Sequence, residues 1–193
     1  MYSPNMLKTF EQCPRKYHLK YEEKISVPQP STFFETGKKI HAIANYFLKG
    51  EDVKLFENML SNDEILLWNK LKSNEYFQMS YVNSEYDLSC KVGNFWIGGR
   101  IDAIVRNGDN YYILDYKTGQ IPKNPEEDYQ TIVYLLAVRK FLKEILNLSF
   151  VYIDLKNNQN YLIKFDDEKK YNDKIIKICT QIETSKNIKT EKL

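Results

Sequence analysis

The segment that most restricts the fold runs from residue 95 to residue 116. Residues 95–106 alternate in the manner of a strand, with Phe95, Ile97, Ile101, Ala103 and Val105 among the apolar positions. Asn107-Gly108-Asp109-Asn110 is a strong hairpin turn. Tyr111 to Tyr116 is then a short apolar, β-favouring run, the pattern of a buried central strand. Residues 81–91 alternate as well, so three strands precede the clearest helix of the chain, Glu126 to Leu146. A second hairpin follows over 149–155 and 161–165, then a Lys-rich amphipathic helix over about 167–183 and a solvated tail at 185–193. This order predicts one α/β domain, with a central mixed β-sheet flanked by helices.

Ahead of the sheet, residues 2–79 read as mainly helical. Ser3-Pro4 is an N-cap followed by Pro at the first helical position, where its missing N–H costs nothing. Lys8, Arg15, Lys16 and Lys20 interleave with Phe10, Tyr17 and Tyr21, and Cys13-Pro14 marks a break. Residues 27–31 read as a loop. A helix over about 34–49 carries Ile40, Ile43, Ala44 and Phe47 at helical spacing, and residues 51–79 are helical but weakly organised.

A length of 193 residues suits one domain with a sizeable core, and the sheet region is expected to close by residue 165. Lys plus Arg number 28 against 26 Asp plus Glu, a balance that neither demands nor excludes a polyanionic partner. The three cysteines, Cys13, Cys90 and Cys179, are scattered and form neither a disulfide framework nor a zinc ribbon. No apolar leader follows a basic start, and no run approaches the ~20 residues that cross a bilayer. A reducing, cytoplasmic setting without a membrane partner is expected.

The chemistry concentrates on Asp102 and on Asp115-Tyr116-Lys117. Asp115 and Lys117 are two apart on a strand, so both side chains leave the same face. Counted from the hairpin turn, Asp102 and Asp115 sit at matching heights on adjoining strands. Two converging carboxylates repel in a low dielectric and are best stabilised by a divalent cation, which lowers the pKa of bound water. A bare acid-x-Lys triplet is otherwise cheap in this chain, recurring for example at Asp154-Leu155-Lys156 after another strand-like run. Asp115 is favoured by the apolar strand leading into it, the second acid across the hairpin, and Gly98-Gly99, which permit close backbone approach beside Asp102.

These residues resemble the PD-(D/E)xK nuclease superfamily. Gly99-Arg100-Ile101-Asp102, Ile113-Leu114-Asp115-Tyr116-Lys117-Thr118-Gly119 and Gln130-Thr131-Ile132-Val133-Tyr134 carry the likeness, with Tyr2-Ser3-Pro4, Gln12 to Tyr17 and Gly37-Lys38-Lys39-Ile40-His41 before them. Within the superfamily the pattern is similar to the RecB-like branch, which includes CRISPR-associated exonucleases and the nuclease domains of recombination helicases. The resemblance covers residues 2 to about 165 and implies a restriction-endonuclease-like core. It further implies that His41, Asp102 and Asp115, with the Tyr116 carbonyl, hold Mg²⁺ or Mn²⁺. Lys117 would position the attacking water, and Gln130 and Tyr134, four apart on one helix face, would orient substrate and lysine. Glu85, on the preceding strand, is a candidate supporting acid.

The implied activity is metal-dependent hydrolysis of DNA phosphodiester bonds, as an exonuclease in repair, recombination or CRISPR adaptation. Single strands or duplex ends are the expected substrates, with protein partners in such a complex. Arg15, Lys16, Lys20, Lys38 and Lys39 are the candidate phosphate contacts, and interleaved aromatics would stack on unpaired bases. Iron–sulfur relatives use one early Cys and three closely spaced late ones; only Cys13 and Cys179 lie near those places, so no cluster is expected in this chain. Either the chain is a cluster-free relative or it stops just before a cluster segment of a longer parent. A non-catalytic binding module and an RNA-directed nuclease are the alternative readings.

Overall fold

Gly108, at φ 57°, turns the chain tightly between two strands, and Asn107 pairs with Asn110 across that turn. The computed structural model describes residues 1–25, 32–142 and 147–190. The hairpin joins β2 (Phe95–Asn107) to β3 (Asn110–Lys117), and β1 (Ser80–Val92) pairs antiparallel with the other edge of β2. β4 (Asn147–Asp154) runs parallel to β3, and β5 (Gln159–Lys164) returns antiparallel to β4. The five-stranded sheet therefore keeps sequence order, β1-β2-β3-β4-β5, and is mixed.

Helices cover both faces. Against one lie α1 (Pro4–Gln12), α6 (Tyr129–Phe141) and α7 (Glu168–Thr190), whose Leu7, Phe10, Ile132, Leu136 and Ile175 pack with Ile97, Ile113 and Phe150. Against the other lie α3 (Thr32–Leu48) and α5 (Asn62–Lys72), whose Ile40, Ile43, Trp68 and Leu71 pack with Leu114, Tyr116 and Val151. Each such large side chain, fully buried, is worth roughly 1.5–3 kcal/mol. The short helices α2 (Pro14–Tyr17) and α4 (Lys54–Glu57) sit in the connections, α2 running on into a wider π-helical turn at His18–Glu22. Among the described residues no helix is long and apolar enough to cross a membrane.

Local signals hold at several ends. Ser3 accepts from the Met6 N–H at the start of α1, a cap worth about 1 kcal/mol. Asp128 caps α6 by accepting from the Gln130 N–H at 2.9 Å, so the helix expected over 126–146 starts at Tyr129, after a 3₁₀ turn at Pro125–Glu127, and ends at Phe141. Its expected end at 143–146 and the loop at 27–31 lie outside the described residues, as does 191–193 of the tail. The segment 51–79 is better organised than its composition suggests. Ser61 and Glu64 form a reciprocal capping box that starts α5. α7 continues to Thr190, into the solvated tail expected at 185–193; the Tyr2 hydroxyl donates to Glu183 and Lys186 approaches the same hydroxyl, anchoring that end.

The feature that makes room for a site is a fork. β2 and β3 pair from Asn107/Asn110 to Ala103/Leu114, and the ladder stops there although both strands continue. The freed edge of β2 is taken by Tyr2, which donates to the Trp96 carbonyl at 2.8 Å and accepts from the Gly98 N–H at 3.1 Å. Gly98 has no room for a side chain, since a Cβ there would lie 2.3 Å from the Leu88 carbonyl oxygen.

Candidate active site

At the crotch of the fork Asp102 and Asp115 fall in the positions next to the last ladder pair, Ala103/Leu114. The Tyr116 N–H donates to Asp102 Oδ2 at 3.1 Å, so a side chain takes the donor that a continued ladder would have used. α3 lays His41 over this point. Its Nε2 donates to the Tyr116 carbonyl at 3.1 Å, which turns Nδ1 toward Asp102 Oδ1 at 3.3 Å and Glu85 Oε1 at 3.8 Å. Burial opposes a charge on His41, but its hydrogen bonds to Asp102 and Glu85 prevail and raise its pKa to about 10.

Glu85 reaches this cluster through an unusual backbone. It lies in β1 between Ser84, paired with Ala103, and Tyr86, paired with Ile101, at φ 47°. A non-glycine residue in the left-handed region costs of order 1 kcal/mol and is held only where surroundings impose it.

On the α6 side of the fork, Lys117 Nζ lies 2.9 Å from Asp115 Oδ2, donates to Asp115 Oδ1 at 3.1 Å and to Gln130 Oε1 at 3.2 Å. Gln130 Nε2 donates to Asp115 Oδ1. Asp115 is almost wholly buried, and its Oδ2 has the lysine nearby but no hydrogen bond of proper geometry. Burial first, then the Asp102 charge, pushes its pKa up to about 6. Burial pulls Lys117 down, yet the Asp115 charge and hydrogen bond outweigh it and the net shift is upward, so Lys117 is an ammonium at neutral pH. Tyr134 packs its ring against Gly99, where an added Cβ would come within 3.0 Å of Cε1.

The donor set suits a hard divalent cation. His41, Glu85 and Asp102 each offer one ligand atom, all within 4.8 Å of one another, and one imidazole with carboxylates is a chemistry that Mn²⁺ and Mg²⁺ accept. The orphaned Asp115 Oδ2 is a further buried acceptor beside them. The Tyr116 carbonyl, expected as a ligand, here receives the His41 N–H, and Glu85, expected as a supporting acid, stands within the cluster itself.

Two clefts open on the site. One, of about 670 Å³, is lined by Lys38, His41, Asn45, Tyr46, Glu85 and Arg100. The other, of about 430 Å³, is lined by Pro4, Lys8, Lys117, Lys123 and Gln130. Of the expected phosphate contacts, Lys38 lines the first. Lys39 is held by Glu64 at 3.0 Å, Lys20 lies 5.1 Å from the Tyr21 ring centre, Lys16 is exposed beyond the Cys13 cap, and Arg15 lines a separate cleft with Tyr17 and Ser185. Sequence reading left Asn45, Lys8 and Lys123 without a site role. Asn45 is the one with a signal, four residues after His41 and so on the same helix face.

Comparison with known proteins bears on the family and the fold. Residues 1–191 match the model of the PD-(D/E)XK nuclease superfamily. The RecB subunit of the RecBCD enzyme from Borreliella burgdorferi is 29% identical over 149 residues, 67% of this chain but 11% of that subunit. The CRISPR-associated exonuclease Cas4 of Francisella tularensis subsp. novicida is 23% identical over 165 residues, 85% of this chain and 71% of that protein. A crystal structure from Eubacterium rectale, described as that of a candidate exonuclease, superposes with a TM-score of 0.58 at 14% identity, covering 96% of this chain and 80% of that one. At that identity the likeness speaks for the fold. The chain thus spans about a tenth of the RecB subunit that it matches.

Proposed function

The chain belongs to the PD-(D/E)XK nuclease superfamily, and from that premise we propose that it is a metal-dependent deoxyribonuclease whose centre lies at the fork between β2 and β3. The observation that carries the reading is the meeting of His41, Glu85 and Asp102 within 4.8 Å, beside a buried Asp115 and its lysine. His41 Nδ1, Glu85, Asp102 and Asp115 would hold Mg²⁺ or Mn²⁺, with the Tyr116 carbonyl close by. When bound, such an ion lowers the pKa of its water and neutralises phosphate charge.

The remaining roles follow from the side chains themselves. Lys117 keeps its proton at neutral pH, so it acts as a charged donor rather than a base. Held between Asp115 and Gln130, it is aimed to orient the attacking water and to offset negative charge growing on the phosphorane oxygens. Gln130 is a positioning residue that fixes both members of that pair. Tyr134 closes the wall at Gly99, where a Cβ would press on its ring at 3.0 Å. Lys38 on one side and Lys8 and Lys123 on the other line the clefts with cations for a phosphate backbone, and Arg100, also in the first lining, is paired with Asp87 at 2.7 Å. Lys8 is partly engaged by Asp128 at 2.7 Å. The names of the two relatives, a subunit of a larger enzyme and a CRISPR-associated exonuclease, support exonucleolytic action within an assembly; repair, recombination or CRISPR adaptation is the setting proposed.

The test is incubation of end-labelled single- and double-stranded DNA, with RNA in parallel, with and without Mn²⁺. The native chain is expected to cut DNA only with the metal, and Lys117→Ala to be inactive while folded. Equal cutting by both proteins, or cutting in EDTA, would sink the mechanism. Cutting of RNA alone would replace the substrate.

A further inference from the structure

The cleft beside His41 continues along one stripe of α3, past Ala42 to Asn45 and Tyr46. From His41 to Tyr46 is five residues, about 7.5 Å along the helix axis, roughly two base steps at the 3.4 Å spacing of stacked nucleotides. Ala42 leaves this stretch low, so a flat group can approach the helix. At its far end the Tyr46 ring lies parallel to Phe56 of α4, with centroids 5.0 Å apart and planes 9° apart. Phe56 remains 41% exposed, an apolar ring held rigidly in a stack with surface left open.

Asn45 is set up by groups behind it. The buried Ser84 hydroxyl donates to Asn45 Oδ1 at 2.7 Å, and the Tyr81 hydroxyl lies 3.3 Å from Ser84 Oγ. Since Ser84 spends its one proton on Asn45, Tyr81 is the donor in the second bond. The amide is thereby fixed with its oxygen engaged, and Nδ2 is the donor left for the cleft that Asn45 lines. The groove thus offers cations at the metal end, an oriented N–H₂ in the middle and the Tyr46 ring at the far end, where Phe56 stacks on that ring from outside the cleft lining.

We propose that this α3 groove is a subsite for an unpaired nucleotide of the substrate strand, its base stacked on the Tyr46–Phe56 pair and hydrogen-bonded by Asn45 Nδ2. The proposal rests on the nuclease reading and deepens it to single-stranded DNA. It assigns recognition to residues that carry no charge. A stacked base is recognised by its π-face, which every base has, so the subsite is tolerant of sequence. Stacking contributes at all ionic strengths, whereas phosphate contacts fade with salt.

The experiment measures binding of a short fluorescein-labelled oligo-dT to the full chain in EDTA, by anisotropy across a salt series. Phe56→Ala is expected to raise Kd about tenfold at every salt concentration, leaving the slope of log Kd against log salt unchanged. Phe56→Trp restores affinity, and Lys38→Ala flattens the slope instead. Unchanged Kd in Phe56→Ala, or a changed slope in that variant, overturns the subsite. Mn²⁺-dependent cutting is scored separately. Cutting with no effect of Phe56→Ala on Kd sinks the subsite and spares the nuclease; the expected binding pattern without cutting sinks the nuclease and spares the subsite.

Discussion

The ends of two neighbouring parallel strands carry the same sequence pattern and do different things. β3 ends in Asp115-Tyr116-Lys117 and runs beside β4, where Asp154-Leu155-Lys156 follows, with Lys117 in register with Asp154. Both aspartates are 2% exposed. Asp154 spends both oxygens at home, accepting from the Asn157 N–H at 2.9 Å and from its side-chain amide at 2.8 Å, and so closes the turn into β5. Lys156 is left exposed. Asp115 instead faces the charge of Asp102, keeps one oxygen without a hydrogen bond, and has its lysine pinned by Gln130. The triplet is therefore not the site. What distinguishes the two is a second acid on the adjoining strand and a sheet that opens beside it.

The sharpest way to break that contrast is to remove each lysine in turn. Lys117→Ala is expected to lower the single-turnover rate of DNA cutting by about 10³-fold or more, in line with loss of a donor to developing charge, and Lys156→Ala to change it less than about twofold. Comparable losses in both would erase the distinction.

Next in size is stability, where the aspartates should move in opposite directions. Asp154→Ala removes the buried acceptor of two hydrogen bonds from Asn157, whose donors are left in an exposed turn, and is expected to cost about 1 kcal/mol, read as a drop of a few degrees in Tm. Asp115 has a folded pKa raised from 3.8 to about 6, so the metal-free fold loses stability as pH climbs through that range. Asp115→Asn removes this burden and is expected to raise the metal-free Tm at pH 7 while abolishing cutting. A fall in Tm for that variant would show that the Lys117 pair matters more than the buried charge.

The remaining test is a pH trend at the fork. His41 in the metal-free protein holds a proton up to about pH 10, and a cation at Nδ1 must displace it. Affinity for Mn²⁺ should therefore rise up to about tenfold per pH unit from 6.5 to 8.5, with release of close to one proton from His41 in calorimetry across buffers of different ionisation heat. A flat profile would remove His41 from the ligands.

Much of this was legible before any coordinates. The 107–110 turn fixed the register of β2 and β3 and with it the opposition of Asp102 and Asp115; the two-residue period put Lys117 beside Asp115, and helical spacing put Gln130 and Tyr134 on one face. These are short-range consequences of backbone periodicity. The place of Glu85 in the cluster was not legible because its left-handed backbone has no sequence signature in a residue other than glycine. The pairing of Lys39, a candidate phosphate contact, was not legible because its partner, Glu64, lies on a different helix. The Ser61-Glu64 capping box was a readable signal that the polar composition of 51–79 obscured. The fork itself was invisible, since it depends on Tyr2 meeting a strand almost a hundred residues later.

That last contact has a bearing on solubility. Tyr2 occupies the open backbone of Trp96 and Gly98, and its hydroxyl is held by Glu183 and Lys186 of α7. Without α7 the hydroxyl of Tyr2 loses both partners, which favours release of the strand edge that Tyr2 covers and its pairing with another molecule. Shortening α7 should thus show itself first as insolubility rather than as a slower enzyme.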